Sequence, residues 1–177
     1  MPIDPPRSVC STMERAMTGN EYRRLIGRYV VSAYSDRGVA VYEEVSIGTS
    51  IIGKRRRVDL VVLDSERRHA LALECKYQDS SGTADEKIPY ALRDLDALRM
   101  PSAMVYAGRG FSEGVLHLLQ SAEQAAYCLP GEALLPVCRR NNDAIDSGTW
   151  QLDHILALHF GWWDVILAGR TPLSLER

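Results

Sequence analysis

An α/β fold, a central mixed sheet flanked by helices, is predicted by three observations in the 177-residue sequence. A run with the three-and-four apolar spacing of a helix precedes three β-branched stretches. A short polar turn joins the last two of these, which makes them an antiparallel hairpin. A capped helical pattern then leads into another apolar strand, an order that suggests a crossover with parallel pairing. The expected order is α, β, β, β, α, β, α, β, followed by a helical tail.

Residues 1–17 hold Pro2, Pro5 and Pro6 and no periodic pattern, so they read as a leader. Tyr22, Leu25, Ile26, Tyr29, Val30, Ala33 and Tyr34 then fall on one helical face. Thr18 and Glu21 form a capping box before them, and the helix ends near Gly38. Strands follow at 39–48, 56–64 and 69–78, the last two meeting at the turn 65–68. Thr83 with Glu86 is a second capping box, ahead of Ile88, Leu92, Leu95 and Leu98. Pro89 lacks an amide that a helix begun at Thr83 needs, so a kink or a restart is expected there. A strand at 102–108, a helix at 112–126 and a strand at 133–139 complete an α/β core spanning 18–139. The tail, 149–177, is rich in Trp150, Trp162 and Trp163 and either caps the core or faces another subunit, with Gly161 dividing it. The length suits one domain, 1–177.

A net charge of −2 gives the whole molecule no general attraction for a polyanion, so any such attraction is local. Lys54, Arg55, Arg56 and Arg57 are consecutive, and smaller groups occur at Arg67 and Arg68 and at Arg23, Arg24 and Arg28. No stretch approaches the length of a membrane span and the start lacks the layout of a signal peptide, so a cytoplasmic protein with no membrane partner is expected. Cys10, Cys75, Cys128 and Cys138 show no CxxC pair, which suits reduced thiols better than zinc or disulfides. No HExxH, GxSxG or phosphate-binding GxxxxGK[ST] occurs, and "GRG" at 108–110, lacking the third glycine of a dinucleotide fingerprint, reads as a turn.

Chemistry concentrates in "LALECKYQ", residues 71–78. Strand alternation puts Glu74, Lys76 and Gln78 on one face and Cys75 and Tyr77 on the other, with Ala70 and Ala72 leaving room beside the polar side chains. Asp59 sits inside the apolar run "VDLVVLD", where an acid is costly unless paired or bound to a metal. The hairpin brings residue 59 near residue 74. Two carboxylates with open positions suit Mg²⁺, which keeps waters and accepts phosphate oxygens.

Asp59, followed by Glu74-Cys75-Lys76 in this setting, resembles the PD-(D/E)xK, or restriction-endonuclease-like, nuclease superfamily over roughly residues 20–108. The string "ECKYQDSSGTADEKIPYAL" is similar to the corresponding region of some type II restriction enzymes. Val58 stands where the motif's name has proline, a position of backbone shape and no ligand. The resemblance implies a restriction-endonuclease-like αβββαβ core and a Mg²⁺-dependent DNA endonuclease, with Mn²⁺ able to substitute. By it, Asp59 and Glu74 bind the metal, Lys76 orients the attacking water or stabilises transition-state charge, and Gln78 contacts substrate or a nearby water. Glu21 is a further metal ligand from the first helix or only the helix cap. Lys54, Arg55, Arg56 and Arg57 meet the DNA backbone, and Lys87 does so or pairs with an adjacent acid. A restriction enzyme comes first among the expected functions. Homing endonuclease, Holliday-junction or repair nuclease, and a catalytically silent DNA-binding module are the alternatives. Cutting both strands favours a homodimer, for which the tail could supply the contact.

Overall fold

The computed structural model describes residues 17–80, 84–131 and 148–173. Helix α1 (Gly19–Ala33) precedes strands β1 (Val39–Thr49), β2 (Arg55–Asp64) and β3 (His69–Tyr77). Helix α2 (Ala84–Asp96), β4 (Ser102–Ala107), α3 (Glu113–Ser121) and β5 (Ala125–Tyr127) follow, then α4 (Trp150–Phe160) and α5 (Trp163–Leu167). The five strands lie in chain order. The first three are antiparallel, and β4 and β5 join them in parallel, which makes the expected mixed sheet.

The first helix starts as its sequence dictates. Thr18 Oγ1 accepts from the Glu21 amide at 3.2 Å, while Glu21 Oε2 accepts from the Thr18 amide at 2.7 Å. Gly38, at φ +68°, turns the chain from α1 into β1 in a conformation that favours glycine. Tyr22, Ile26, Tyr29 and Val30 are fully buried against Leu60, Val62, Leu71 and Leu73 on one face of the sheet. Leu152, Leu156, Ala157, Phe160 and Trp162 join the same core, so the tail caps it, leaving Trp150 and Trp163 partly exposed. Gly161, at φ +72°, ends α4 where a division was expected.

Asp153 is a buried acid packed at this core. Asp153 accepts hydrogen bonds from the Tyr29 hydroxyl at 2.6 Å, the Tyr34 hydroxyl at 2.7 Å and Thr149 Oγ1 at 3.0 Å. Hydrogen bonds to a buried charge are worth more than neutral ones. Tyr34→Phe removes one of these donors and is expected to cost about 1.5 kcal/mol. A urea denaturation midpoint equal to wild type would contradict this.

The opposite face packs Ile88, Leu92 and Leu95 of α2 and Leu119 of α3 on Met104, Tyr106 and Phe111. Of the kink or restart expected at Pro89, no restart occurs, since helix α2 runs continuously through it, and the capping box at Thr83 lies outside the described residues. Two further expectations change. The helix expected at 112–126 stops at Ser121, and Ala125–Tyr127 pair with β4 as an edge strand. Ala125 and Ala126 favour a helix, but Ala126 fills a buried site in the main core, and tertiary packing overrides propensity. The strand expected at 133–139 lies outside the described residues. Among the described residues no helix is long and apolar enough to cross a membrane.

Candidate active site

Asp59 occupies an irregularity that runs across two strands. Leu60 and Val62 face the main core, yet Val58 packs with Val61 and Ala72 on the other side of the sheet. Regular alternation would put Val58 with Leu60. In β1, Val39 and Val41 likewise face the main core while Val45 and Ile47 face the other side, and Glu44 between them has φ +55°. The pairs Glu43↔Leu60 and Val45↔Val58 bracket Glu44 and Asp59, so both strands turn over at one level. The β2–β3 ladder ends there too, at Leu60↔Leu73. The Cys75 amide, left without a strand partner on β2, donates instead to Asp59 Oδ2 at 2.8 Å. A backbone hydrogen bond thus fixes the acid of one strand beside Glu74 of the next.

Glu74 and Lys76 project together, with Lys76 Nζ donating to Glu74 Oε1 at 2.6 Å. Burial pushes the Glu74 carboxyl up; Lys76 opposes this and the charge of Asp59 adds to it. Burial acts to lower the Lys76 ammonium, but Glu74 and then Asp59 outweigh it and hold the group charged. Two carboxylates and one ammonium therefore share a half-buried place. Among the described residues, Asp59 Oδ1 and Glu74 Oε2 take no hydrogen bond, and no third histidine, cysteine or carboxylate is gathered with them. Two carboxylates with one open oxygen each fit a hard divalent ion that keeps waters, and do not fit a closed zinc site.

The remaining expected residues separate. Gln78 lies on the Glu74 and Lys76 side, but its Nε2 donates to the Gly110 carbonyl at 2.6 Å and to Asp85 Oδ1 at 3.2 Å, while Oε1 is buried without a partner. It holds a loop in place. Glu21 is not gathered with Asp59 and Glu74, and its carboxylate caps α1. Lys54, Arg55 and Arg57 are exposed around the β1–β2 turn, with Arg57 also 3.4 Å from Glu44. Arg56 leaves that patch: it points with Val58 toward α2, is buried, and pairs with Asp94 at 3.1 Å. Lys87 is exposed on α2. Arg23, which binds both Glu43 and Glu44, and Asp85, which binds Gln78 and the Ser112 amide, were not expected in these roles. Only contacts distant in sequence reveal them.

A model described as the PD-(D/E)XK nuclease superfamily domain matches residues 18–163. Among solved structures, the chain is similar to the MspJI restriction endonuclease in complex with a 27-mer oligonucleotide. The likeness has 17% identity and a TM-score of 0.35, and covers 82% of this chain and 32% of that one. The chain thus spans about a third of that protein's length. No curated protein matches it.

Proposed function

Because the chain belongs to the PD-(D/E)XK nuclease superfamily, we propose that it is a divalent-metal-dependent DNA endonuclease, of restriction type, using Asp59, Glu74 and Lys76. The observation that carries this reading is the hydrogen bond from the Cys75 amide to Asp59, which draws a second acid to the Glu74–Lys76 pair across the hairpin. Asp59 Oδ1 and Glu74 Oε2 would hold Mg²⁺, or Mn²⁺ in its place. When bound, the ion supplies Lewis-acid charge to a phosphate. Lys76 holds a positive charge beside that phosphate, where negative charge grows as the bond breaks, and orients water for attack. Arg55, Arg57, Lys54 and Lys87 are exposed cations available to the DNA backbone.

Plasmid, branched and single-stranded DNA incubated with the protein in Mg²⁺, and in chelator, test the proposal. Discrete duplex fragments that vanish in chelator are expected. Cutting confined to branched DNA would indicate a junction or repair enzyme, and binding without any nicking would indicate a silent DNA-binding module.

The pH dependence follows from Glu74. Its folded value is raised above the 4.5 of an ordinary glutamate, first by burial. A raised folded value means that its contribution to stability is present below about pH 4.5 and is lost as pH rises through the folded value. Metal binding needs the ionised carboxylate, so Mg²⁺-dependent cleavage grows over the same window. Metal-free stability and cleavage are expected to run in opposite directions as pH rises from 4.5 through the folded value of Glu74. In Glu74→Gln, urea midpoints should lose that part of the slope, and an unchanged slope would contradict the assignment.

A further inference from the structure

The turn that follows β4 is built against the end of β3 with unusual closeness. The Gln78 amide donates to the Ala107 carbonyl at 3.1 Å, and the Gly110 amide donates to the Gln78 carbonyl at 2.8 Å. From the side-chain direction, Gln78 Nε2 bonds the Gly110 carbonyl, and Asp85 joins Gln78 to the Ser112 amide at 2.9 Å. Phe111 anchors the turn from beneath, buried edge-on to Tyr106. Gly108 has φ +111°, and a Cβ there would land on the Gln78 carbonyl; a Cβ on Gly110 would lie 2.5 Å from the Ser80 carbonyl oxygen. Both glycines are required by this approach.

Arg109 is the side chain between them, and it is exposed. Among the described residues no carboxylate pairs with it at ion-pair distance. Its charge is felt at Tyr77, the neighbour of Lys76: burial and then Asp79 push the Tyr77 hydroxyl up, and Arg109 pulls it back. A cation with no acid partner among the described residues is thus held on a tightly packed turn at the end of the strand that carries Glu74 and Lys76. Asp59, Glu74, Asp79 and Asp85 make this end of the sheet acidic, so a polyanion approaching it needs a compensating charge.

We propose that the Gly108–Arg109–Gly110 turn is a phosphate clamp, pre-set by the Gln78–Asp85 network, in which Arg109 binds a backbone phosphate of the DNA being cut. The role rests on the nuclease reading above and deepens it. Guanidinium meets phosphate through two parallel hydrogen bonds, and a loop already fixed loses little freedom on binding. Gln78 acts here as a positioning residue.

Duplex binding is measured against salt for wild type, Arg109→Ala, Arg109→Lys and Arg99→Ala, with Ca²⁺ replacing Mg²⁺, and cleavage in Mg²⁺ is measured in parallel. Arg99, exposed just before β4, is the control at the strand's other end. Arg109→Ala should weaken binding about tenfold and flatten the log–log salt slope by about 0.9, the loss of one phosphate contact. Arg109→Lys should keep the slope while losing part of the affinity, and Arg99→Ala should match wild type. An unaltered slope for Arg109→Ala in a protein that binds and cuts DNA overturns the clamp and leaves the nuclease reading standing. An equal drop from Arg99→Ala overturns it as well, because diffuse charge then suffices. Wild type that neither binds nor cuts DNA overturns both.

Discussion

Lys76→Ala is expected to lower DNA cleavage by about 10³-fold while the protein remains folded and binds duplex. Its ammonium is held charged by Glu74 at 2.6 Å and by Asp59 beyond. A charge fixed there before the substrate arrives needs no reorganisation when negative charge develops on the phosphate, which is the source of the large factor. The cost to the fold is smaller. The side chains of Lys76 and Glu74 remain 28% and 21% exposed, so the pair lies between exposed bridges of about 1 kcal/mol and fully buried ones of about 3 to 5 kcal/mol. A loss of about 2 kcal/mol is expected, confined to pH values at which Glu74 is ionised. Metal binding should not weaken, since the ion no longer shares Glu74 with the ammonium. Single-turnover cleavage beside Mg²⁺ titration separates these effects. Unchanged nicking would remove Lys76 from the chemistry, whereas lost DNA binding would make it a binding residue.

What was legible in the sequence followed from local rules. The turn at 65–68 fixes the hairpin register, and the pairs run from Asp64↔His69 to Leu60↔Leu73 without a slip, ending one step short of residues 59 and 74. That arithmetic was enough to bring Asp59 to Glu74, and alternation was enough to align Glu74 with Lys76. The turning over of β1 and β2 was not legible. It depends on a glutamate at φ +55°, a conformation that composition does not announce, and it decides where the three neighbouring arginines point. Gln78 illustrates the same limit. Its face could be read from parity, but its partners Gly110 and Asp85 come from two other elements, and the turn that looked like ordinary "GRG" loop chemistry proves to be packed backbone against backbone. Edge strand β5 was hidden for a third reason, because two alanines suit a helix until packing assigns them to a sheet.

Arg56→Ala should therefore act on stability, although the residue lies in a basic run. Its side chain is 6% exposed and that of Asp94 is 13% exposed. Besides the 3.1 Å ion pair, Arg56 donates to the Asp94 carbonyl, and Asp94 Oδ1 accepts from the Ile51 amide at 2.9 Å. One arginine thus ties the start of β2 to the end of α2 and, through Asp94, to the β1–β2 turn. Removing it leaves a buried carboxylate with its charge uncompensated, which costs about 3 to 5 kcal/mol. For a chain of this length each kcal/mol lowers the melting temperature by about 2 to 4 °C, so a fall of roughly 6 to 20 °C is expected. Arg56→Met combined with Asp94→Leu should recover most of it, because a buried pair replaced by apolar groups of similar volume is often neutral or better. The DNA salt slope of Arg56→Ala, measured below its melting point, should match wild type, while Arg55→Ala and Arg57→Ala each flatten it by about 0.9 if they meet phosphates. A wild-type melting temperature together with a flattened slope would return Arg56 to the DNA surface and contradict the turning over of β2 at Asp59.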